Sequence, residues 1–309
     1  MNGVVAIGQA VLDVVFSEGV PTGAFAGGRI ANMAASLGRM GVRTEYVSEC
    51  ANDAPGDTVV EFLGKNHVGT ASVDRFTEGQ SQVSLIFRGS DGSERYSRYS
   101  NYPQSRFDVL WPKIEEGDIV VFGSDLSIEP SLRKPLLELL EYAKQRKAVI
   151  IYLPGFRPEV CSRITRVMPS ILENLEFADI VMARESDMVK IFGIADPEYC
   201  YNEHISFYCP NFMFISNSLD IYFRSRSTTV SSSCAGNAPA NALGWNATFC
   251  AGFVKGLLDS GMASDTGNIT ENTWREIIGF ASCCASDSTR TGENVISEEF
   301  IRTLRHQIQ

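Results

Sequence analysis

The sequence predicts an α/β fold, a doubly wound and mostly parallel sheet with a small antiparallel β lid. Three observations point there. Short β-branched or apolar runs alternate with helical patterns along most of the 309 residues, the order that lays helices over a parallel sheet. Two stretches in the first third break the alternation and read as strands and turns. At 44% hydrophobic and 21% charged, the composition is that of an ordinary globular protein with enough apolar residues for a large core.

Val4–Ile7 reads as the first strand. Residues 14–26 form a strand and a turn containing glycine and proline. A helix from about Arg29 to Met40 follows Gly27-Gly28, with Ile30, Met33, Leu37 and Met40 on one side. Residues 71–100 read as antiparallel strands, because VSLIFRGSDGSERYSRY sets Asp91-Gly92 between two strand-like runs, a strong hairpin signal. Further strands are expected at Ile119–Phe122, Val149–Leu153, Ile180–Ala183 and Phe212–Ser216. The helix Leu132–Lys147 carries Leu136, Leu137, Leu140 and Ala143 at helical spacing. The irregular stretches, about 14–26 and 71–105, would make the lid of a single domain spanning 1–309. Such lids exclude water from a site and gate turnover.

The charge narrows the function. With 27 Lys+Arg against 37 Asp+Glu the formal charge is −10, which argues against a nucleic-acid surface. No apolar run approaches the roughly 20 residues that cross a bilayer. The start, MNGVVAIGQAVLDVVF, lacks a basic region and is interrupted by Asp13, so it reads as a strand and not a signal peptide. Cys50, Cys161, Cys200, Cys209, Cys234, Cys250, Cys283 and Cys284 are scattered without a CxxC pair, and His67, His204 and His306 lie far apart. A disulfide framework or zinc site is not expected, and a reducing cytoplasm is.

The chemistry should lie beyond the carboxyl ends of the strands. Asp13 offers two acceptor oxygens for vicinal hydroxyls, and Asn32 can donate and accept. Gly27 and Gly28 let backbone N–H groups approach a ligand closely. The plainer reading stands beside this one: the glycines turn the chain and Asn32 caps it.

GGRIANMAASLGRMG resembles the N-terminal signature of the PfkB (ribokinase-like) carbohydrate kinases. IGQAVLD resembles that family's first strand, which ends in a sugar-contacting Asp, and SECANDAPGD keeps the Asp53 and Gly56 of its Gly-x-Asp-x-x-Gly segment. The resemblance covers nearly the whole chain. It implies a ribokinase-like fold, a sugar site at Asp13, Gly27, Gly28 and Asn32, and ATP with Mg²⁺ as cofactors.

The nucleotide half departs from the family. Its second signature, Asp-Thr-x-Gly-Ala-Gly-Asp, opens a helix, makes an anion hole from small residues and ends in the base for the sugar hydroxyl. Here NALGWNATFCAGFVKGLL puts Asn241 at the first Asp and keeps Gly244. Trp245 replaces Ala, Asn246 replaces the second Gly, and Ala247 replaces the catalytic Asp. Alanine cannot take a proton, and a lost general base costs typically 10²–10⁴ in rate, about 3–5 kcal/mol. An indole at Trp245 would also claim space that the phosphate turn should leave open. The family's Asp-Pro-Asn-x-Arg reads Leu153-Pro154-Gly155-Phe156-Arg157. Its metal-organising Asn-x-x-Glu reads Arg184-Glu185-Ser186-Asp187, and its Thr-x-Gly turn reads Ser216-Asn217-Ser218.

Two classes of function remain. One is a non-catalytic relative that binds a carbohydrate or sugar phosphate, with phosphoryl transfer lost or strongly impaired; the sequence favours it. The other is an active ATP-dependent carbohydrate kinase with a rearranged site. Arg184 and Arg157 either pair with carboxylates or bind an anionic ligand. A homodimer through the lid is also expected, using Phe76, Ile86, Phe87, Tyr96 and Tyr99.

Overall fold

Strands that are apolar at every position must be covered on both faces, and the chain alternates accordingly. In a computed structural model describing residues 2–89, 93–157, 164–233, 244–263, 266–291 and 294–308, the first half runs β1 (Val4–Ile7), β2 (Val11–Ser17), β3 (Val20–Gly27), α1 (Arg29–Arg39), β4 (Thr44–Ala51), α2 (Ala54–Lys65), β5 (Val68–Gly69), β6 (Val73–Phe76), β7 (Gln80–Arg88) and β8 (Glu94–Asn101). The second half runs β9 (Ile119–Gly123), α3 (Arg133–Gln145), β10 (Val149–Leu153), α4 (Ile164–Phe177), β11 (Ile180–Arg184), α5 (Glu185–Phe192), α6 (Pro197–Cys200), β12 (Asn211–Ile215), β13 (Asp220–Arg224), β14 (Thr229–Ser233), α7 (Trp245–Asp259), α8 (Glu271–Thr291) and α9 (Glu298–Ile308).

The large sheet has the order β14-β13-β12-β11-β10-β9-β1-β4-β5, with β6 also paired to β4. It is parallel from β12 to β5, and β12–β13–β14 close one edge as an antiparallel meander. Successive strand residues point to opposite faces. Val4, Ala6, Ile119, Val121, Ile151 and Met182 therefore pack with α1, α2, α7 and α8. Val5, Ile7, Val120, Phe122, Ile150 and Val181 pack with α3, α4 and α5. The sheet is doubly wound, as expected, and the predicted boundaries of the large-sheet strands and the helices between them hold to within one or two residues.

A separate four-stranded sheet, β3-β2-β7-β8, makes the lid. Its β2–β3 and β7–β8 pairs are antiparallel, whereas β2 and β7 run parallel. The Asp91-Gly92 turn lies outside the described residues.

Two expectations need correction. Asp13 does not end the first strand. β1 stops at Ile7, the chain leaves the large sheet where a Cβ on Gly8 would come within 2.7 Å of Ile30, and Asp13 sits inside β2 of the lid. Nor does all of 71–105 belong to the lid, since β6 pairs with β4 from Ser48↔Val73 to Ala51↔Phe76. Phe76 is consequently buried and packs edge-on against Tyr102, and Ile86 is buried as well.

Candidate functional site

In an open α/β sheet the ligand crevice forms where strand order reverses. This chain builds from β1 outwards to β4 and β5, then returns to place β9 on the other side of β1. Gln9, just after β1, and Ser124 and Asp125, just after β9, accordingly line a cavity of about 430 Å³ beneath the lid.

The lid contributes one polar row. Register places Asp13 opposite Ser84 and Ser84 opposite Arg98, and all three line the cavity, with Gln82 two residues along β7. Burial pushes the Asp13 carboxyl up to about 6, against a hydrogen bond from Ser84 and the charge of Arg98. Gly27 makes room for that carboxylate: a Cβ there would lie 2.0 Å from Asp13 Oδ2. Gly28 caps α1 at φ 103°, where a Cβ would also meet the Gln9 carbonyl at 2.9 Å. With no side chain accepting from its first turn and no acid in it, α1 brings a positive end to the cavity through Gly28, Arg29 and Ile30. Asn32 lies one turn further in, outside the lining. It is 8% exposed, and its Oδ1 is buried without a hydrogen-bond partner.

Cations dominate the remaining wall. Arg29, Arg98, Arg157 and Lys190 line the cavity against Asp13 and Asp125. Arg157 pairs with Asp125, to which its backbone N–H also donates at 3.2 Å. Lys190 donates to the neutral Phe156 carbonyl at 3.0 Å. Arg29 reaches Asp187 at 3.7 Å and lies beside Arg184. Burial, then the charge of Arg29, lowers the Arg184 pKa, and its Nε is buried without a partner.

The α7 residues are elsewhere. Gly244 caps the helix at φ 89°, but Gly244, Trp245, Asn246 and Ala247 do not line the cavity that holds Asp13. The Trp245 side chain is directed into the core. Its indole is 2% exposed and stacks on Phe249 at 5.0 Å, because positions four apart share the helix face that packs on the core. Ala247 is 3% exposed in the same core, and Asn246 Oδ1 is buried without a partner. Asn241 lies outside the described residues.

Three acids on this side of the sheet are engaged within the chain. Glu185 accepts from the Asn217 backbone at 2.9 Å and its side-chain amide at 2.8 Å. Asp187 accepts from the Arg184 backbone N–H at 3.2 Å and pairs with Arg29. Hydroxyls of Ser218 and Ser233 hold Asp220 below its ordinary pKa.

Residues 1–204 match the family described as pfkB family carbohydrate kinase. The chain belongs to that family. It is 27% identical over 173 residues to an ATP-dependent 6-phosphofructokinase of Thermoanaerobacterium thermosaccharolyticum, covering 56% of this chain and 53% of that one. The chain thus spans about half the length of the curated relatives it matches. Fructokinase from Vibrio cholerae O395 superposes with a TM-score of 0.79 at 17% identity, covering 95% of this chain and all of that one. It has also been solved in a fructose-, ADP- and calcium-bound form. Aminoimidazole riboside kinase from Salmonella enterica, complexed with its riboside and an ATP analogue, gives 0.78 at 15%, with 93% of each chain covered. These likenesses establish the ribokinase-like fold.

The residues do not fit the family's metal. At the position the resemblance gives to a metal-organising amide, Arg184 has a half-buried guanidinium beside that of Arg29, a pair that repels a divalent cation. Among the described residues no cluster of His, Cys, Asp or Glu could hold a metal ion. No helix among them is long and apolar enough to cross a membrane. Sequence reasoning missed Arg29, Arg98, Asp125 and Lys190. The signals were present: Arg29 adjoins the Gly-Gly pair, and Gln82/Ser84 and Tyr96/Arg98 alternate polar residues along lid strands.

Proposed function

We propose that the protein binds a sugar or sugar phosphate beneath the lid, and that phosphoryl transfer from ATP to it is lost or strongly impaired. The observation that carries this reading is Ala247, an alanine where the family's base belongs, with its side chain packed in the core. Glu185, Asp187 and Asp220 are each committed to partners inside the chain. The sugar side, by contrast, keeps Asp13, Gly27 and Gly28 in mutual contact or on one cavity.

A thermal-shift screen with sugars and sugar phosphates tests the binding half. A ligand should raise the melting temperature, and Asp13→Ala should abolish that rise; no shift with any ligand rejects the reading. The alternative, an active kinase with a rearranged site, draws on Asp13, whose carboxyl near 6 could act as a base close to neutral pH.

A homodimer through the lid forms part of the proposal. Phe16 stacks on Phe87 with centroids 4.8 Å apart, and on the same face of the sheet Tyr99 is 62% exposed. Those rings give a second copy an apolar surface to cover.

A further inference from the structure

We propose that the lid is a fixed wall and not a moving flap, with Asp53 and Glu49 as the positioning residues that hold its cavity-facing row in place. The wall is a property of the chain alone and holds whatever ligand the cavity takes.

A lid that swings needs a root with few buried contacts and residues free to change φ and ψ. Here the chain passes between the body and the lid four times, after β1, β3, β6 and β8. Each passage is fastened. After β1, the hydroxyl of the fully buried Tyr46 on β4 donates to the Gln9 carbonyl at 2.8 Å. After β3, Gly28 lies so close to that carbonyl that a Cβ would meet it at 2.9 Å. After β6, Asp53 accepts the Ser81 N–H at 2.9 Å and the Ser81 hydroxyl at 2.6 Å. The Ala51 N–H, at the end of β4, donates to the same hydroxyl oxygen at 2.9 Å. After β8, Arg106 pairs with Glu49 and lies 3.6 Å over the Tyr102 ring, whose hydroxyl donates to Gln82 of β7 at 3.3 Å. Phe107 follows, buried in the core at φ 64°. An aromatic residue keeps that left-handed conformation only where its surroundings fix it.

Three of these fastenings end on one strand. Tyr46 and Glu49 lie on β4, and Asp53 follows it as the N-cap of α2. The helix α2 in turn packs beside β2, β3 and β7, so β4, α2 and the lid are joined into one body. Swinging the lid would part Ser81 from Asp53 and Arg106 from Glu49. A carboxylate that is 4% exposed would then sit without its guanidinium, a strongly unfavourable state.

The glycines fit a fixed root. At the β6–β7 passage, a Cβ on Gly79 would strike the Asn101 carbonyl, whereas Gly19, at the tip of the β2–β3 hairpin, has nothing within 4 Å. Backbone freedom therefore sits at the far end of the lid and not where it joins the body. Nor does a ligand need the lid to move. Tyr96 lines the cavity and is 39% exposed, so the space opens to solvent past its ring. Asp13, Ser84 and Arg98 stand in place before a ligand arrives, and binding carries no cost of ordering the lid.

Residual dipolar couplings from the intact, ligand-free chain test the wall directly. One alignment tensor should fit the amides of β2 and β7 together with those of β9, β10 and β11. A reduced or separately oriented tensor for the lid strands would overturn the proposal. Asp53→Asn and Glu49→Gln test the two residues. Asparagine caps a helix as well as aspartate does, so α2 should keep its start. One oxygen that accepts from Ser81 becomes an amide nitrogen that cannot. The Ser81 N–H should then exchange with solvent about 10–100-fold faster, the worth of one charge-assisted hydrogen bond, while the amides of β9 and β10 keep their rates. In each variant the lid should lose alignment relative to the large sheet. Faster exchange spread evenly over both sheets, or lid couplings unchanged in both variants, would overturn the positioning role. A thermal-shift screen in which no sugar binds would reject the sugar reading and leave the couplings as expected here, so the two fail separately.

Discussion

Asp13 is a carboxylate held where ionising is costly without a ligand. Its ordinary pKa of 3.8 rises to about 6, chiefly through burial. Between about pH 4 and 6 the unfolded chain releases this proton while the folded chain retains it, so stability falls as pH rises through that window. Asp13→Asn should flatten this part of the pH profile and raise the melting temperature at pH 7, read by calorimetry at several pH values. An unchanged slope would contradict the burial argument. Trp245 yields a prediction of another kind. Because its indole stacks on Phe249 within the core, Trp245→Ala should cost about 3–5 kcal/mol in a denaturant titration. A neutral substitution would return the indole to the phosphate turn. The identity of this residue was plain from sequence, but its direction was not. Helical phase at an N-terminus depends on where the cap falls, and Gly244 in the left-handed region sets it.

The lid strands, β4 and α2 form a connected device. Asp53 caps α2, accepting from the Gly56 N–H at 2.9 Å, and also accepts the Ser81 N–H of β7 at 2.9 Å. Arg106 leaves the lid and returns to the end of β4, where its Nε donates to both Glu49 oxygens at 2.9 Å while its guanidinium lies 3.6 Å over the Tyr102 ring. Arg106→Ala would strand Glu49, which is 4% exposed, and should cost about 3–5 kcal/mol by denaturation. A loss below about 1 kcal/mol would show the pair to be a solvated one. Gly27→Ala should act on the ligand more than on the fold, because its Cβ displaces the Asp13 carboxylate. The expected result is a near-native melting temperature with the sugar-dependent shift removed. Strands and helices were legible here because period-2 and period-3.6 patterns are local. The pairing of β6 with β4 and the placement of Asp13 in the lid were not, since both depend on where the chain leaves one sheet for another.

Over the whole molecule, the doubly wound sheet brings to one cavity residues far apart in sequence, from Gln9 to Lys190. The sugar side of the site was readable because the Gly-Gly motif and its helix are contiguous. The cationic wall was not, because Arg29, Arg98, Arg157 and Lys190 meet only once α1, β8, β10 and α5 are in place. The acid count of 37 concealed this local reversal of charge. The exposed rings of the lid lead to a further expectation, a dimer mass in solution at tens of micromolar protein; a monomer mass at that concentration rejects the lid interface. The central claim is a family member that keeps its sugar cavity without the base for phosphoryl transfer. It is tested most directly by measuring ADP release with Mg²⁺ and ATP over a panel of sugars, sugar phosphates and sugar acids. The account predicts rates at least about 10²-fold below the 1–100 per second of ordinary kinases. Turnover within that ordinary range on any one of these acceptors would contradict it.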